Sequence, residues 1–402
     1  MKKRISSTGW ALAMVLQISR LFAQLPDGIF LNEVYPGYNL TSNISYGGNT
    51  NYFTGQFENL LLDLYEPVTD DDYRRPLLIY AHGGGFTGGD KTKDKAIAFA
   101  DYFTKRGYVV ASINYRLGDD ITGTTDDNFQ TVYMGAQDSR AAIRFFHRYA
   151  DDYCLDTAAI FMSGSSAGAT LALVAAYWDQ EEADKVVPDI AAFGPIDASS
   201  GNEGYSDALT AIVVCWGGLT DTSWMKGETE PQQLFHGTED STIPYTEGYN
   251  SDSVYLYGGY MIHQAALMYG IESYLKTYEG VGHGISEESP KFDTMMYIAD
   301  TFMYSHLPDN IGQASCKASS LQLYPNPSDG RITAFNSSES ISFGGTFTVF
   351  DAMGRVVFTD DIIIPAAGSM LFNLPGLANG LYLFRFQDDT KSNTYKMIIS
   401  SP

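Results

Sequence analysis

The chain has little cysteine, little positive charge and, past its first two dozen residues, no apolar run long enough to cross a bilayer. Cys154, Cys215 and Cys316 are the only thiols in 402 residues. Their separations fit neither a zinc site nor a redox dithiol, so no metal or thiol chemistry is assigned to them. Cys215 lies in the apolar run 212–216 and reads as a buried thiol. Cys154 and Cys316 are free to pair or not in an oxidising compartment, and spacing alone does not decide. Lys and Arg number 25 against 48 Asp and Glu, a formal net charge of −23. That deficit of cations opposes binding to nucleic acid or to an anionic membrane and favours solubility outside the cell. The acidic clusters at 70–72, 119–120, 126–127 and 151–152 read as solvated surface rather than as calcium ligands, because such runs are weakly specific. There is no internal repeat.

What is present begins with residues 1–23, where Lys2, Lys3 and Arg4 precede an apolar run over 10–18 and a short exit ending at Ala23. This is the layout of a secretory signal, and the run is too short for a membrane anchor. Cleavage is expected after Ala23, although Leu21 is larger than the small residue usual at its position. Removing Lys2, Lys3, Arg4 and Arg20 with no acid takes the formal net charge from −23 to −27. The chain carries 28 Tyr and 39 Gly, a bias of turn-rich secreted and surface proteins.

From about residue 58 strands and helices alternate. Leu60, Leu62 and Leu64 repeat with period two, and short strands are expected at 76–81, 108–114, 159–163, 211–216, 233–235 and 273–278. Helical spacing links Ala136, Ile143, Phe146 and Ala150, then Leu171, Val174 and Ala175, and Pro290 is placed to open a last helix through Phe302. The pattern predicts an α/β fold, a doubly wound and mainly parallel sheet with ligands at the carboxyl ends of its strands. Residues 24–306 are read as this domain and 307–322 as a linker, because turn and small residues replace periodicity there. Residues 323–402 alternate apolar runs with Asp-Gly, Met-Gly and Asn-Gly turns and are read as a small all-β sandwich.

Ester hydrolysis at neutral pH needs a nucleophile, a base to activate it, an acid to orient the base, and donors for the developing oxyanion. In Gly164-Ser165-Ser166-Ala167-Gly168, Ser166 falls between an expected strand and an expected helix. A tight turn there needs small neighbours, lifts the hydroxyl clear of the sheet, and places it at a helix N-terminus.

With His82-Gly83-Gly84-Gly85 upstream, residues 24–306 resemble the α/β-hydrolase fold, in its carboxylesterase and lipase branch. The resemblance implies that Gly84 and Gly85, with the N–H of Ala167, form an oxyanion hole, and that His82 orders the loop. It also implies the chain order Ser, Asp, His. Asp240, in His236-Gly237-Thr238-Glu239-Asp240, is the acid expected on position, with Asp221 after the preceding strand as the rival. His283, in Gly282-His283-Gly284, is the expected base, whereas His147, His236, His263 and His306 read as structural. The site so assembled uses no cofactor and no metal.

Substrate is less legible. Residues 245–260, rich in Tyr and Gly, read equally as an aromatic wall for a substrate or as a surface loop of packed tyrosines. Acyl, acetyl or feruloyl esters of plant polysaccharide, lipids and polyester all remain as candidate substrates. A peptidase of the same fold lacks the triple-glycine loop, and a binding protein on a dead frame would have lost a catalytic residue. The C-terminal segment is similar to the sorting domain of the type IX secretion system. The features are Tyr324-Pro325-Asn326-Pro327 with Gly330, the run 349–357, Leu377-Ala378-Asn379-Gly380-Leu381-Tyr382, and 395–399. This implies the type IX machinery as partner and export through the periplasm of a Gram-negative bacterium to the surface or medium.

Overall fold

Short runs of Leu, Ile, Val and Ala that are apolar at every position suit strands buried on both faces, and in the computed structural model such strands assemble into one sheet. The structure describes residues 28–400, apart from 70–72, 119–124, 251–252, 310, 313–320, 337–341, 375 and 389–391. The expected secretory signal, the 70–72 and 119–120 clusters and Cys316 therefore lie outside the described residues.

In chain order the first domain runs β1 (Tyr38–Thr50), β2 (Phe57–Pro67), β3 (Arg75–Ala81), α1 (Asp94–Thr104), β4 (Val109–Ile113), α2 (Thr125–Arg148), β5 (Leu155–Ser165), α3 (Ala167–Tyr177) and α4 (Gln180–Val186). It continues with β6 (Ala211–Cys215), β7 (Gln232–Gly237), a hairpin of β8 (Glu247–Tyr249) and β9 (Tyr255–Tyr257), then α5 (Gly259–Tyr269), β10 (Ser273–Tyr278) and α6 (Pro290–Ser305). The eight-stranded sheet has the order β1-β2-β4-β3-β5-β6-β7-β10. The two first pairings, β1 with β2 and β2 with β4, are antiparallel, and the rest are parallel.

Alternation within each strand divides the core into two. Leu77 and Ile79 of β3, Ile160 and Met162 of β5, and Ile212 and Val214 of β6 pack with α2 and α3 on one face. Leu78, Tyr80, Phe161, Val213 and Cys215 pack with α1 and α6 on the other. Period two on a sheet covered by helices on both sides explains why both sets are apolar. Pro290 opens α6 at its first turn, and the Ser289 side chain caps it by accepting from the Lys291 N–H.

One buried ion pair fixes the crossover after β4. Arg116 and Asp138 of α2, 1% and 0% exposed, meet at 2.8 Å. The guanidinium also donates to Gln137 and to the carbonyl of Thr50, so the charge is compensated on several sides. Of the acidic clusters, Asp151 pairs with Arg74 at the surface. Among the described residues no group of three or more His, Cys, Asp or Glu is placed to hold a metal ion, and no helix is long and apolar enough to cross a membrane.

The C-terminal unit contains β11 (Leu321–Tyr324), β12 (Arg331–Asn336), β13 (Phe343–Asp351), β14 (Val356–Ile364), β15 (Ser369–Asn373), β16 (Gly380–Gln387) and β17 (Ser392–Ile399). They form antiparallel sheets of order β11-β12-β15 and β14-β13-β16-β17. Phe347, Phe372, Phe384 and Phe386 fill their shared core. Order reaches into both ends of the span read as a linker. Leu307 and Ile311 pack on the α/β core, and β11 opens at Leu321.

Candidate active site

The turn between β5 and α3 is forced by its glycines. A Cβ on Gly164 would lie 2.3 Å from the backbone of Gly168, and a Cβ on Gly168 would lie 2.1 Å from the carbonyl oxygen of Ala81. No side chain fits at either place, so strand, helix and the end of β3 approach closely. Between them Ser166 adopts φ 54° and ψ −120° as the N-cap of α3. A non-glycine residue in this region stores about 1–3 kcal/mol, which the surrounding structure must hold. The Ser166 N–H donates to Cys215 O at 3.0 Å, which ties the elbow to the end of β6.

Three separate segments converge on that hydroxyl. His283, between β10 and α6, places Nε2 2.9 Å from Ser166 Oγ, and its Nδ1 lies 2.8 Å from Asp240 Oδ2. The Asp240 side chain is fully buried just beyond β7. Its Oδ1 accepts from the N–H groups of Thr242 and Ile243, both at 2.9 Å. Burial pushes this carboxyl up, but hydrogen bonds from His236, His283 and the Ile243 N–H outweigh it and hold the acid well below the usual range. Asp240 is therefore a fixed anion behind the imidazole. Asp221 is exposed and caps the turn at Thr222–Met225, accepting from the Ser223 N–H at 2.8 Å.

His236, read as structural from its strand-end position, touches the same carboxylate. Its Nδ1 accepts from the Gly259 N–H at 3.1 Å, so the proton sits on Nε2. That N–H faces Ile243 O at 3.0 Å and Asp240 Oδ2 at 3.3 Å. The signal was available, since His236 stands four residues before the acid in one motif.

The glycine loop after β3 lies against the serine. His82 is buried, stacks on Tyr115 at 4.5 Å, and donates from Nδ1 to Gly83 O at 2.9 Å. Burial lowers its affinity for a second proton, which suits a neutral loop-ordering ring. Gly84 and Gly85 wall a cavity of about 520 Å³ that also contains Ser166 and His283. Among the described residues the N–H groups of Gly84, Gly85 and Ala167 donate to no protein acceptor. Unpaired donors beside a serine hydroxyl are what an oxyanion formed there would require.

Trp216, Lys95 and Ile285 complete the cavity wall, and none carries a motif. The tyrosines of 245–260 do not line it. Tyr245 hydrogen-bonds Thr277 at 2.7 Å and packs on Tyr260, and Tyr249, Tyr255 and Tyr257 pack edge to face along the β8–β9 hairpin. Of the two readings of this stretch, the packed surface loop holds.

A serine elbow at the carboxyl end of a central parallel strand, in an eight-stranded sheet of this order, defines the class as the α/β-hydrolase fold. More particularly, residues 62–233 match the family model BD-FAE, and residues 322–400 match the Secretion system C-terminal sorting domain. The chain thus pairs an α/β-hydrolase fold with a segment that matches the type IX sorting domain, a signal for the surface or the exterior of a Gram-negative cell. Gut esterase 1 of Caenorhabditis briggsae is 31% identical over 35% of this chain and 24% of its own length. The acetyl esterase of Salmonella schwarzengrund (strain CVM19633) is 35% identical over 29% of this chain and 32% of its own. The chain thus spans about a quarter to a third of these relatives. Thermogutta terrifontis esterase 2 phosphonylated by cyclosarin superposes with a TM-score of 0.50 at 20% identity, covering 67% of this chain and 94% of that one, a likeness of fold.

Proposed function

We propose that the protein is an exported carboxylic ester hydrolase in which Ser166 is the nucleophile, His283 the general base and acid, and Asp240 the residue that orients and charges the base. The observation that carries this reading is the unbroken line Ser166 Oγ, His283 Nε2, His283 Nδ1, Asp240 Oδ2, with spacings of 2.9 and 2.8 Å. In that line His283 takes the proton of Ser166 as the oxygen attacks the ester carbonyl, then gives it to the departing alcohol. Water, deprotonated by the same imidazole, releases the acid from the acyl-enzyme. Asp240 stabilises the imidazolium at each transfer, and the N–H groups of Gly84, Gly85 and Ala167 receive the oxyanion.

The sorting domain implies delivery by the type IX machinery, so the substrate is one met outside the cell. Short acyl esters suit the acetyl esterase likeness, and esters carried on polysaccharide suit a surface enzyme. Fluorophosphonate labelling mapped to Ser166, with rates on acetylated xylan, methyl ferulate, triacylglycerol and a peptide amide side by side, tests the reading. Labelling with ester turnover is expected. An unlabelled Ser166 identifies a dead frame, and a preference for the amide identifies a peptidase.

A further inference from the structure

The ester cavity has a neighbour. A second recess of about 260 Å³ is lined by Tyr80, His82, Asp94, Ser165, Lys95 and Glu287. Lys95 belongs to the walls of both. It stands in the first turn of α1, and its ammonium reaches across to the loop that follows His283. There it donates to Ile285 O at 2.7 Å and to Glu287 at 2.5 Å. The Lys95 and Glu287 side chains are only partly exposed, at 23% and 33%. Burial pushes the Glu287 carboxyl up, but the Lys95 hydrogen bond, a backbone N–H and the Lys95 charge together outweigh it and keep the acid ionised more readily than a free Glu. On the ester side the ammonium sits 5.6 Å from the centre of the Trp216 ring.

We propose that the Lys95–Glu287 ion pair is a partition that limits the length of the substituent the ester pocket accepts, an inference that rests on the esterase reading above. An ion pair held at both ends by α1 and the His283 loop is a stiff barrier. A chain growing from the ester carbonyl past Trp216 meets it before it reaches the recess beyond. That recess is polar, with Tyr80 donating to Ser165 Oγ at 3.1 Å and the Asp94 and Glu287 carboxylates on its wall. The groups excluded are therefore chains of several carbons tipped by a hydroxyl, for which the recess supplies hydrogen-bonding partners. Truncating either member joins the two spaces without touching Ser166, His283 or Asp240.

The test compares kcat/KM of the full chain on ethyl acetate, ethyl 6-hydroxyhexanoate and 6-hydroxyhexyl acetate, following acid release at constant pH. Wild type, Lys95→Ala, Glu287→Ala and Lys95→Arg are assayed, and the ratio of long to short ester is the readout. In the two Ala variants the ratio for at least one long ester is expected to rise about tenfold, the gain that about two newly lodged methylene groups supply. The ester that gains tells whether the acyl or the alcohol group faces the partition. Lys95→Arg keeps a cation opposite Glu287 and is expected to keep the wild-type ratio. An unchanged ratio in both Ala variants overturns the proposal, as does an equal rise in Lys95→Arg. A parallel loss on all three esters also overturns it, since the pair would then serve to hold the His283 loop. A wild-type protein that hydrolyses none of them refutes the esterase reading itself, and this inference with it.

Discussion

Asp300 is the wrong residue for its place, and the consequence can be measured. It lies on α6 with its side chain fully buried, and neither carboxylate oxygen accepts a hydrogen bond among the described residues. Among the described residues the cation near it is Arg106, whose Nε is 3.4 Å away, and the buried hydroxyl of Tyr108 likewise has no hydrogen-bond partner. Burial pushes the Asp300 carboxyl up to about 7, against which Arg106 pulls only weakly. Folded protein therefore binds this proton more tightly than unfolded protein. The stability that follows is full below about pH 4, is lost as pH rises to about 7, and is flat above. Ionising a group held at about 7 rather than 3.8 costs the fold about 4 kcal/mol. Asp300→Asn mimics the protonated acid at every pH. Urea denaturation of both proteins should show the variant more stable by only about 1 kcal/mol at about pH 4.5 and by up to about 4 kcal/mol at about pH 8. The difference between the two proteins is what counts, because carboxylates such as Asp240 contribute a slope of opposite sign to both. A variant whose stability relative to wild type is the same at the two pH values would refute the reasoning.

Asp240→Asn should be far more damaging than its size suggests. The Thr242 and Ile243 N–H groups will claim the amide oxygen, which turns the NH₂ toward His283 and leaves Nε2 protonated and unable to take the serine proton. Steady-state assay is expected to show a loss in kcat of about 10⁴, with Asp221→Asn close to wild type, and the reverse ranking would move the acid to Asp221. Arg116→Leu strands the buried Asp138 carboxylate and should destabilise the hydrolase domain by about 3–5 kcal/mol in the same urea experiment, whereas less than about 1 kcal/mol would mean the pair contributes little. Cys154 is disulfide-bonded and Cys215 is a free buried thiol. Peptide mapping without reduction should recover Cys154 in a disulfide and Cys215 alkylated only after denaturation, and a Cys215-containing bridge would contradict this.

The parallel strands were legible because their positions are apolar without interruption, a pattern that double burial demands. The edge strand β1 was not. Its residues Asn39, Thr41, Asn43 and Gly48 are polar or small and leave most of its length part-exposed, so neither alternation nor hydrophobicity marks it. In α2 the buried Gln137, Asp138, Arg140 and Arg144 hide a core face among polar residue types. Within the site, residues that stand in a motif could be named from the sequence, and residues placed by packing could not. Ser166, Asp240 and His283 sit in short glycine-bearing loops whose spacing follows from the turn each must make. Trp216 was read only as the end of a buried strand, and Lys95 gave no signal, because its partner Glu287 lies 192 residues away. The tyrosines of 245–260 misled in the other direction. Composition suggested a binding wall equally with a packed loop, and only the positions of their neighbours distinguish the two.

The central claim is that Ser166, activated by His283, forms an acyl-enzyme. The most direct measurement is the turnover of p-nitrophenyl acetate by Ser166→Ala against wild type, with circular dichroism to show that both are folded. A loss of about 10⁴ to 10⁶ in kcat is predicted for a residue acting as one unit with its base. A folded Ser166→Ala protein that still cleaves the ester at the wild-type rate would contradict the account.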